Sequence, residues 1–289
     1  MNPIAFKEEI AEEVFMLRVH APMIARERRP GQFVILQVDP VHGERIPLTI
    51  VDADRKESTI TLIFEAVGKT THLLADLQVG DSIPNMVGPL GNPTDISKVG
   101  TVVCVGGGIG VAALYPIAKA IHEAGNRTVT IVGARARDLL ILEREMRGIS
   151  DEFILCTDDG SAGRKALVTE PLQEACDREP RPDQVIAIGP PVMMKFCAET
   201  TRPYRIPTVV SLNAIMIDGT GLCGGCRVTV GGQTRFTCVD GPEFDGHLVD
   251  FDNLMQRLGA HREQEEEAHR QYHADAVTHG RAERQTRAA

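Results

Sequence analysis

The 289-residue chain contains no tryptophan, and aromatic residues make up only 4% of it. Single-stranded nucleic acid needs aromatic faces on which successive bases can stack, so that class of partner is poorly served. Positive charge is not in excess either: 31 lysines and arginines stand against 40 acids, a formal net charge of −9. Such a balance disfavours phosphate backbones and anionic membrane surfaces alike. No apolar run approaches the roughly 18 residues of a membrane span. The opening MNPIAFKEEIAEEVFMLRV breaks its apolar residues with acids where a signal peptide would carry an uninterrupted core. These absences predict a cytoplasmic protein that binds neither nucleic acid nor membrane.

An even-numbered disulfide framework is also lacking. Of seven cysteines, Cys104, Cys156, Cys176 and Cys197 are scattered one by one, and in a reducing compartment they read as small buried hydrophobes. Cys223, Cys226 and Cys238 do cluster, the first two in MIDGTGLCGGCRVTV and the third after eleven intervening residues. Iron–sulfur clusters and tetrahedral zinc usually take four protein ligands. The segment therefore poses the question of a fourth.

What is present divides the chain by texture, and its length suits about two ordinary domains. Residues 1–96 hold short β-branched runs (EVFMLRVHAP, GQFVILQV, RIPLTIVDAD, STITLIFEAVG) punctuated by Gly, Pro and Asp, which predicts an antiparallel barrel or sandwich. LLADLQVGDSIPNMVGPLGNP follows as a short helix, a strand and a closing loop. From residue 97 to 210 strands alternate with helices: TVVCV, a glycine turn, an apolar-periodic helix ending at Gly125, RTVTIVGAR, a helix over LLILEREMRGI, EFILCTDDG and DQVIAIGP. That alternation predicts βαβ units on a parallel sheet. Residues 211–250 carry the cysteines. Residues 251–289 turn polar and helical, and the charged end reads as a solvated helix fraying into disorder. His269 and His273 lie one helical turn apart there, with no thiol or acidic partner fixed near them.

Gly106-Gly107-Gly108-Ile109-Gly110 follows the apolar strand and opens a helix, and Gly108, Gly110 and Ala113 fit G-x-G-x-x-A. Glycines there let backbone approach phosphate oxygens at a helix N-terminus, although a tight strand–helix turn needs glycine in any case. The later strands also end in polar or glycine-rich loops, VGARARD, TDDGSAG and IGPPVMM, where open parallel sheets bind ligands. Together they point to a nucleotide.

A β-barrel, then GGGIGVA, GARARDLLILEREM, TDDGSAG, GPPVMM and a cysteine loop, in that order, resembles the ferredoxin–NADP reductase superfamily over about residues 5–255. Within it, the chain looks most like the electron-transfer subunits of dihydroorotate dehydrogenase B and the small subunits of NADH-dependent ferredoxin:NADP oxidoreductase, or sulfide dehydrogenase. The resemblance implies a flavin barrel, an α/β domain for the pyridine nucleotide and a small iron–sulfur segment. It puts FAD on Ile46, Pro47, Leu48 and Thr49, on Ile63, Phe64 and Glu65, and on the turn Gly68-Lys69-Thr70-Thr71. Here Leu48 replaces the family's aromatic residue, and Arg45 stands one place off the motif's arginine. It puts NAD(H) on Gly107, Gly108, Ile109 and Gly110, on Gly133 and Arg135, on Asp158, Asp159 and Gly160, and on Gly189, Pro190 and Met193. Arg135 with Arg137 would suit the 2′-phosphate of NADP, but the nearest relatives imply NAD.

In the dihydroorotate type the cluster motif is Cys-x4-Cys-x2-Cys with a later fourth cysteine, and five positions before Cys223 this chain has Asp218. The ferredoxin:NADP type resembles it there, which implies a 2Fe–2S centre on Asp218, Cys223, Cys226 and Cys238. Asp218 as a mere turn-former, and structural zinc, are the competing readings. The run VDGPEFDGHLVDFDNLM also resembles the sulfide dehydrogenase type. The implied function is an electron-transfer subunit of a heteromeric oxidoreductase of the kind that includes electron-bifurcating enzymes. Its larger flavin and iron–sulfur partner would carry the NADP site and reach ferredoxin. A dihydroorotate dehydrogenase subunit and a non-catalytic redox sensor are the alternatives.

Overall fold

The computed structural model describes residues 2–41 and 43–287. Its first part is a seven-stranded antiparallel sheet, nearly closed into a barrel. The chain runs β1 (Asn2–Ala11), β2 (Val14–His20), helix α1 (Pro22–Glu27), β3 (Phe33–Gln37), β4 (Arg45–Asp54), β5 (Thr59–Glu65), helix α2 (Lys69–Asp76), β6 (Ser82–Ile83) and β7 (Asn85–Leu90). The spatial order is β6-β1-β2-β5-β4-β3-β7. The expected run of short strands is there. β1 and α1 were not anticipated: β1 carries KEE in its middle, and pairing with β2 and β6 makes it a strand.

β3 explains its own unbroken apolar run. Val34 and Leu36 point into the barrel core, while Phe33 and Ile35 join the core of the second part. A strand buried on both faces has no polar side to alternate with.

The second part begins with β8 (Thr101–Gly107) and continues through α3 (Gly110–Glu123), β9 (Arg127–Ala134), α4 (Glu143–Gly148), β10 (Glu152–Thr157), β11 (Arg164–Lys165), α5 (Thr169–Asp177), β12 (Gln184–Ile188), α6 (Pro191–Thr201) and β13 (Thr208–Ser211). In space β10-β9-β8-β12-β13 run parallel. The strand order reverses between β8 and β12, so a crevice opens at their carboxyl ends. Val103 and Val105 of β8 enter one core while Val102 and Cys104 enter the other beneath α3, as a sheet covered on both faces requires. The four scattered cysteines are buried, as expected; burial pushes the Cys104 thiol up to about 12, and burial with the nearby Cys176 does the same to Cys197.

The helix expected over LLILEREMRGI is shorter. Leu140 is extended and Leu142 left-handed at φ 53°, so α4 starts only at Glu143 while Ile141 is buried in the core beneath α3. The cysteine segment follows as loop, then β14 (Arg227–Val230), β15 (Gln233–Phe236), the one-turn α7 (Thr237–Asp240) and β16 (Glu243–Asp245). β14 and β15 form a hairpin closed by Gly231-Gly232, both at positive φ, and β16 adds an antiparallel edge to the second sheet. Then come α8 (Phe251–Leu258) and α9 (Arg262–Arg287). The tail is thus helical over its described length, and α9 packs on α2 of the barrel. Among the described residues no helix is long and apolar enough to cross a membrane.

Candidate functional site

The glycines at the strand ends separate by what a side chain would meet. A Cβ on Gly107 would overlap Met193 Sδ, and one on Gly133 would overlap Val168. On Gly110 it would lie 2.5 Å from the Ile188 carbonyl oxygen and 2.6 Å from Gly189 Cα. Gly110 is thus glycine because α3 packs on the β12 end without space, whereas Gly107 and Gly133 lie against the side chains of Met193 on α6 and Val168 before α5. Gly108 differs: it adopts φ +54°, and a Cβ there would meet nothing within 4 Å. That opening sits over the N-terminus of α3, where the Val111 and Ala112 N–H groups turn back to the Gly108 and Ile109 carbonyls at 3.2 and 3.0 Å; the positive end of the helix dipole faces the opening, and a phosphate suits such a place. Ile109 is exposed beside it.

The neighbouring loops are stitched together at the same edge. Asp158 and Asp159 donate their N–H groups to the Ala134 and Arg135 carbonyls at 3.1 and 3.2 Å. Arg137 N–H donates to Ser161 Oγ at 2.8 Å. The Asp159 carboxylate accepts from the Ser161 hydroxyl at 2.6 Å and its N–H at 2.9 Å, and these bonds hold it below the ordinary carboxylate range. Asp159 is therefore committed to its turn. Asp158, Gly160, Arg135 and Arg137 are exposed around the crevice, Pro190 and Gly189 open α6 beside it, and Met193 lies against Gly107 and Gly189.

On the barrel, β4 pairs with β3 so that Thr49 faces Phe33, Leu48 faces Val34, Pro47 faces Ile35 and Ile46 faces Leu36. Directly opposed residues share a face. Ile46 and Leu48 therefore turn into the barrel core, against which they pack, and Pro47 and Thr49 share the outer face with Ile35 and Phe33. Ile63 and Phe64 are buried in the two cores, which leaves their backbone for any ligand, and Glu65 ends the strand half-buried. Gly68 precedes α2 with open space around it. Thr71 Oγ1 accepts from the N–H groups of Val67 and Gly68 at 3.0 Å, and buried Thr70 lies beside it. The turn is thus fixed locally, with the N-terminus of α2 opening from it. An outer barrel face with one hydroxyl, and a free-standing helix start, fit a flavin and its pyrophosphate.

The cysteine loop brings its donors together. Cys226 Sγ and Cys238 Sγ are 3.2 Å apart and buried, while Cys223 is exposed and accepts from Gly225 N–H at 3.4 Å. Burial, then the hydrogen bond from Cys226, push the Cys238 thiol up to about 12, so a cation is what would make it a thiolate. Asp218 closes the loop: its two oxygens accept the N–H groups of Thr220 at 2.8 Å and Cys223 at 2.9 Å. Those bonds, Thr220 first, hold it below the usual carboxylate range. Gly219, Gly221 and Gly224 all take positive φ to make this path. A single tetrahedral zinc would gather its ligand atoms to about 3.8 Å of each other. Among the described residues only His72, His269 and His273 place three ligand atoms within 4.8 Å of one another. No three donors of the cysteine loop come that close to one another, and three thiols with a carboxylate suit a two-iron cluster.

Sequence reasoning gave no sign of what lies behind this loop. A Cβ on Gly219 would stand 2.6 Å from Leu90 and 3.0 Å from Ile35. These are apolar residues of β7 and β3, indistinguishable in the sequence from any other core position. Thr94 and Glu243 also join the barrel to β16, through a 2.5 Å bond from the Thr94 hydroxyl to a carboxyl that burial pushes upward.

A family model described as the iron–sulfur cluster binding domain of dihydroorotate dehydrogenase B matches residues 213–250. A Thermotoga maritima protein named a homologue of the electron-transfer subunit of NAD-dependent dihydroorotate dehydrogenase B is 51% identical, the match covering 92% of this chain and 93% of that one. The electron-transfer subunit from Bacillus caldolyticus is 35% identical over 83% of this chain and 94% of its own. Among solved structures, a chain of NADH-dependent reduced ferredoxin–NADP oxidoreductase, studied for flavin-based electron bifurcation, superposes with a TM-score of 0.89 and 49% identity, covering 94% of this chain and 98% of that one. The chain belongs to the family of dihydroorotate dehydrogenase B electron-transfer subunits and their homologues.

Proposed function

We propose that the chain passes electrons between NAD(H), FAD and a 2Fe–2S cluster as one subunit of an NADH-dependent ferredoxin:NADP oxidoreductase. One observation carries the reading: Gly219, next to Asp218, backs directly onto Ile35, and Ile35 is the β-partner of Pro47 in the flavin motif. The cluster loop and the flavin strand are therefore two layers of one packed unit. When bound, the flavin exchanges two electrons with the nicotinamide and single electrons with the cluster.

The chain's own residues supply placement. Pro47 and Thr49 present the outer barrel face, and the α2 start, with Thr70 and Thr71, offers N–H donors for a pyrophosphate. Gly108 and the α3 N-terminus do the same for NAD(H) across the crevice, with Gly189, Pro190 and Met193 on its other wall. Cys226 and Cys238, with Sγ atoms 3.2 Å apart, together with Cys223 and Asp218 would hold the cluster. Leu222, Ile217 and Val239 ring the loop, exposed by 89%, 48% and 41%. Such an apolar rim suits a larger protein subunit, which would carry the NADP site and deliver to ferredoxin.

Asp218 where the dihydroorotate type has cysteine, and 49% identity to the oxidoreductase chain against 35% to the Bacillus caldolyticus dihydroorotate dehydrogenase subunit, favour this reading over a dihydroorotate dehydrogenase subunit. The test is anaerobic reduction of the purified complex by NADH, read by flavin bleaching and the cluster's electron-spin signal, with the copurifying chain identified. A barrel dehydrogenase as partner would establish the second reading. Flavin and cluster that stay oxidised with NADH would overturn both.

A further inference from the structure

We propose that His72, His269 and His273 form a binding site for one divalent zinc-like transition ion, which clamps the tail helix α9 to the flavin barrel. The site is distinct from the cysteine loop. His72 lies on α2 and the other two one turn apart on α9, so residues 197 positions apart meet. Their Nε2 atoms converge: His72 to His269 at 3.0 Å, and His273 to His269 at 2.8 Å. The ring centroids are 5.0 and 4.5 Å apart. Nitrogens so much closer than centroids mean that the rings meet through their nitrogen corners.

Hydrogen bonding alone serves this arrangement poorly. An imidazole nitrogen has one in-plane valence, either a proton or a lone pair. His269 Nε2 therefore cannot both donate to one neighbour and accept from the other. A cation between the three rings accepts all three lone pairs at once. Zinc binds imidazole at about 2.0–2.1 Å, which sets neighbouring nitrogens about 3.3 Å apart. The His72–His269 and His269–His273 pairs need open by only a few tenths of an ångström, and all three ligand atoms already lie within 4.8 Å of one another.

The surroundings have the form of an ion site. Glu13 Oε2 lies 3.9 Å from His72 Nδ1, behind the ring. That distance is beyond a hydrogen bond, so the carboxylate acts on the ring through its charge, favouring hydrogen on Nδ1 and the lone pair on Nε2. The Tyr272 hydroxyl donates to Asp76 Oδ2 at 2.6 Å, fixing the same turn of α9 against α2. Three neutral nitrogens and no thiolate select zinc, nickel or copper over magnesium or calcium. His273 is exposed, so water completes the coordination.

The test uses the full chain with its flavin and iron in place, equilibrated with Zn²⁺ against a chromophoric chelator and then analysed for metals. One zinc per chain beyond the iron is expected. The double variant His269→Ala/His273→Ala should retain under a tenth of it with flavin and iron unchanged; these residues lie on a surface helix and cannot unfold the core. His72→Gln should weaken binding at least tenfold, and zinc should slow proteolysis within 262–274 in the wild type alone. Equal zinc in the wild type and the double variant overturns the site. Undiminished affinity in His72→Gln also overturns it, because the ion would then sit on the helix pair without joining α9 to the barrel.

Discussion

Two glycines two residues apart should fail in opposite ways. Gly108→Ala places a methyl group where nothing lies within 4 Å, so it crowds no protein atom. Its structural cost is the left-handed backbone at φ +54°, about 1–2 kcal/mol for an L-residue, or a fall of a few degrees in Tm. The methyl does occupy the approach of the nucleotide phosphate to α3. Losing one charge-assisted hydrogen bond costs about 1.5–3 kcal/mol, which raises KM for NADH about 10- to 150-fold. Gly110→Ala instead drives a Cβ into backbone, 2.5 Å from the Ile188 oxygen and 2.6 Å from Gly189 Cα. Neither atom can rotate away, so the strand–helix contact must open, at about 1–3 kcal/mol or more, and thermal stability drops before affinity does. The assay is NADH-dependent dye reduction beside a thermal melt and a flavin count for each variant. If Gly108→Ala keeps its KM within about twofold while its Tm falls as expected, the glycine serves only the turn, and the crevice is not where the pyrophosphate binds.

Asp218→Ala should lose or destabilise the cluster, whereas Asp218→Cys should keep two irons per chain with a shifted reduction potential; iron content and electron-spin spectra decide, and an unaltered signal in the Ala variant removes Asp218 from the ligand set. Asp151 accepts from the Thr128 N–H at 2.7 Å, the main cause that holds its carboxyl below the ordinary 3.8. A lowered folded-state value means stability that is present above 3.8 and lost as pH falls through the folded value. The stability difference between wild type and Asp151→Asn should thus be flat near neutrality and shrink below about pH 4, and a difference that grows on acidification refutes it. Truncation after Gly259 should leave flavin and cluster contents unchanged by absorbance and iron analysis, since α9 packs on the outside of the barrel, at α2.

The parallel sheet was readable in the sequence because β8, β9 and β12 are apolar runs ending in glycine, and a sheet buried on both faces must look that way. The glycine turn was readable as well, but its division of labour was not: Gly107, Gly110 and Gly133 are explained by Met193, Ile188 and Val168, contacts that only the fold creates. The helix over LLILEREMRGI failed because the burial of Ile141 outweighed local propensity at Leu140 and Leu142. The short α1 and α5 escaped because six to nine residues carry too little period to register. His269 and His273 lacked a visible partner because His72 lies in another part of the chain, and only the docking of α9 on α2 supplies it.

The two readings of Asp218 in the sequence, turn-former or ligand, are not rivals in the structure. Each carboxylate oxygen has two lone pairs, and the bonds from Thr220 and Cys223 occupy one on each. The remaining pair can face iron while the loop stays closed. A cysteine in its place would donate more electron density but accept those N–H bonds more weakly, through one larger atom. The loop around it has little slack to compensate: Gly219 is pressed against Leu90 and Ile35, and Gly221 against Val239. Asp218→Cys should therefore hold the cluster in a looser loop, with faster exchange at the Thr220 and Cys223 amides than in the wild type. On the proposed function, a carboxylate here would keep the loop closed against β3 and the proposed flavin strand beyond it, the contact through which electrons would pass between the two.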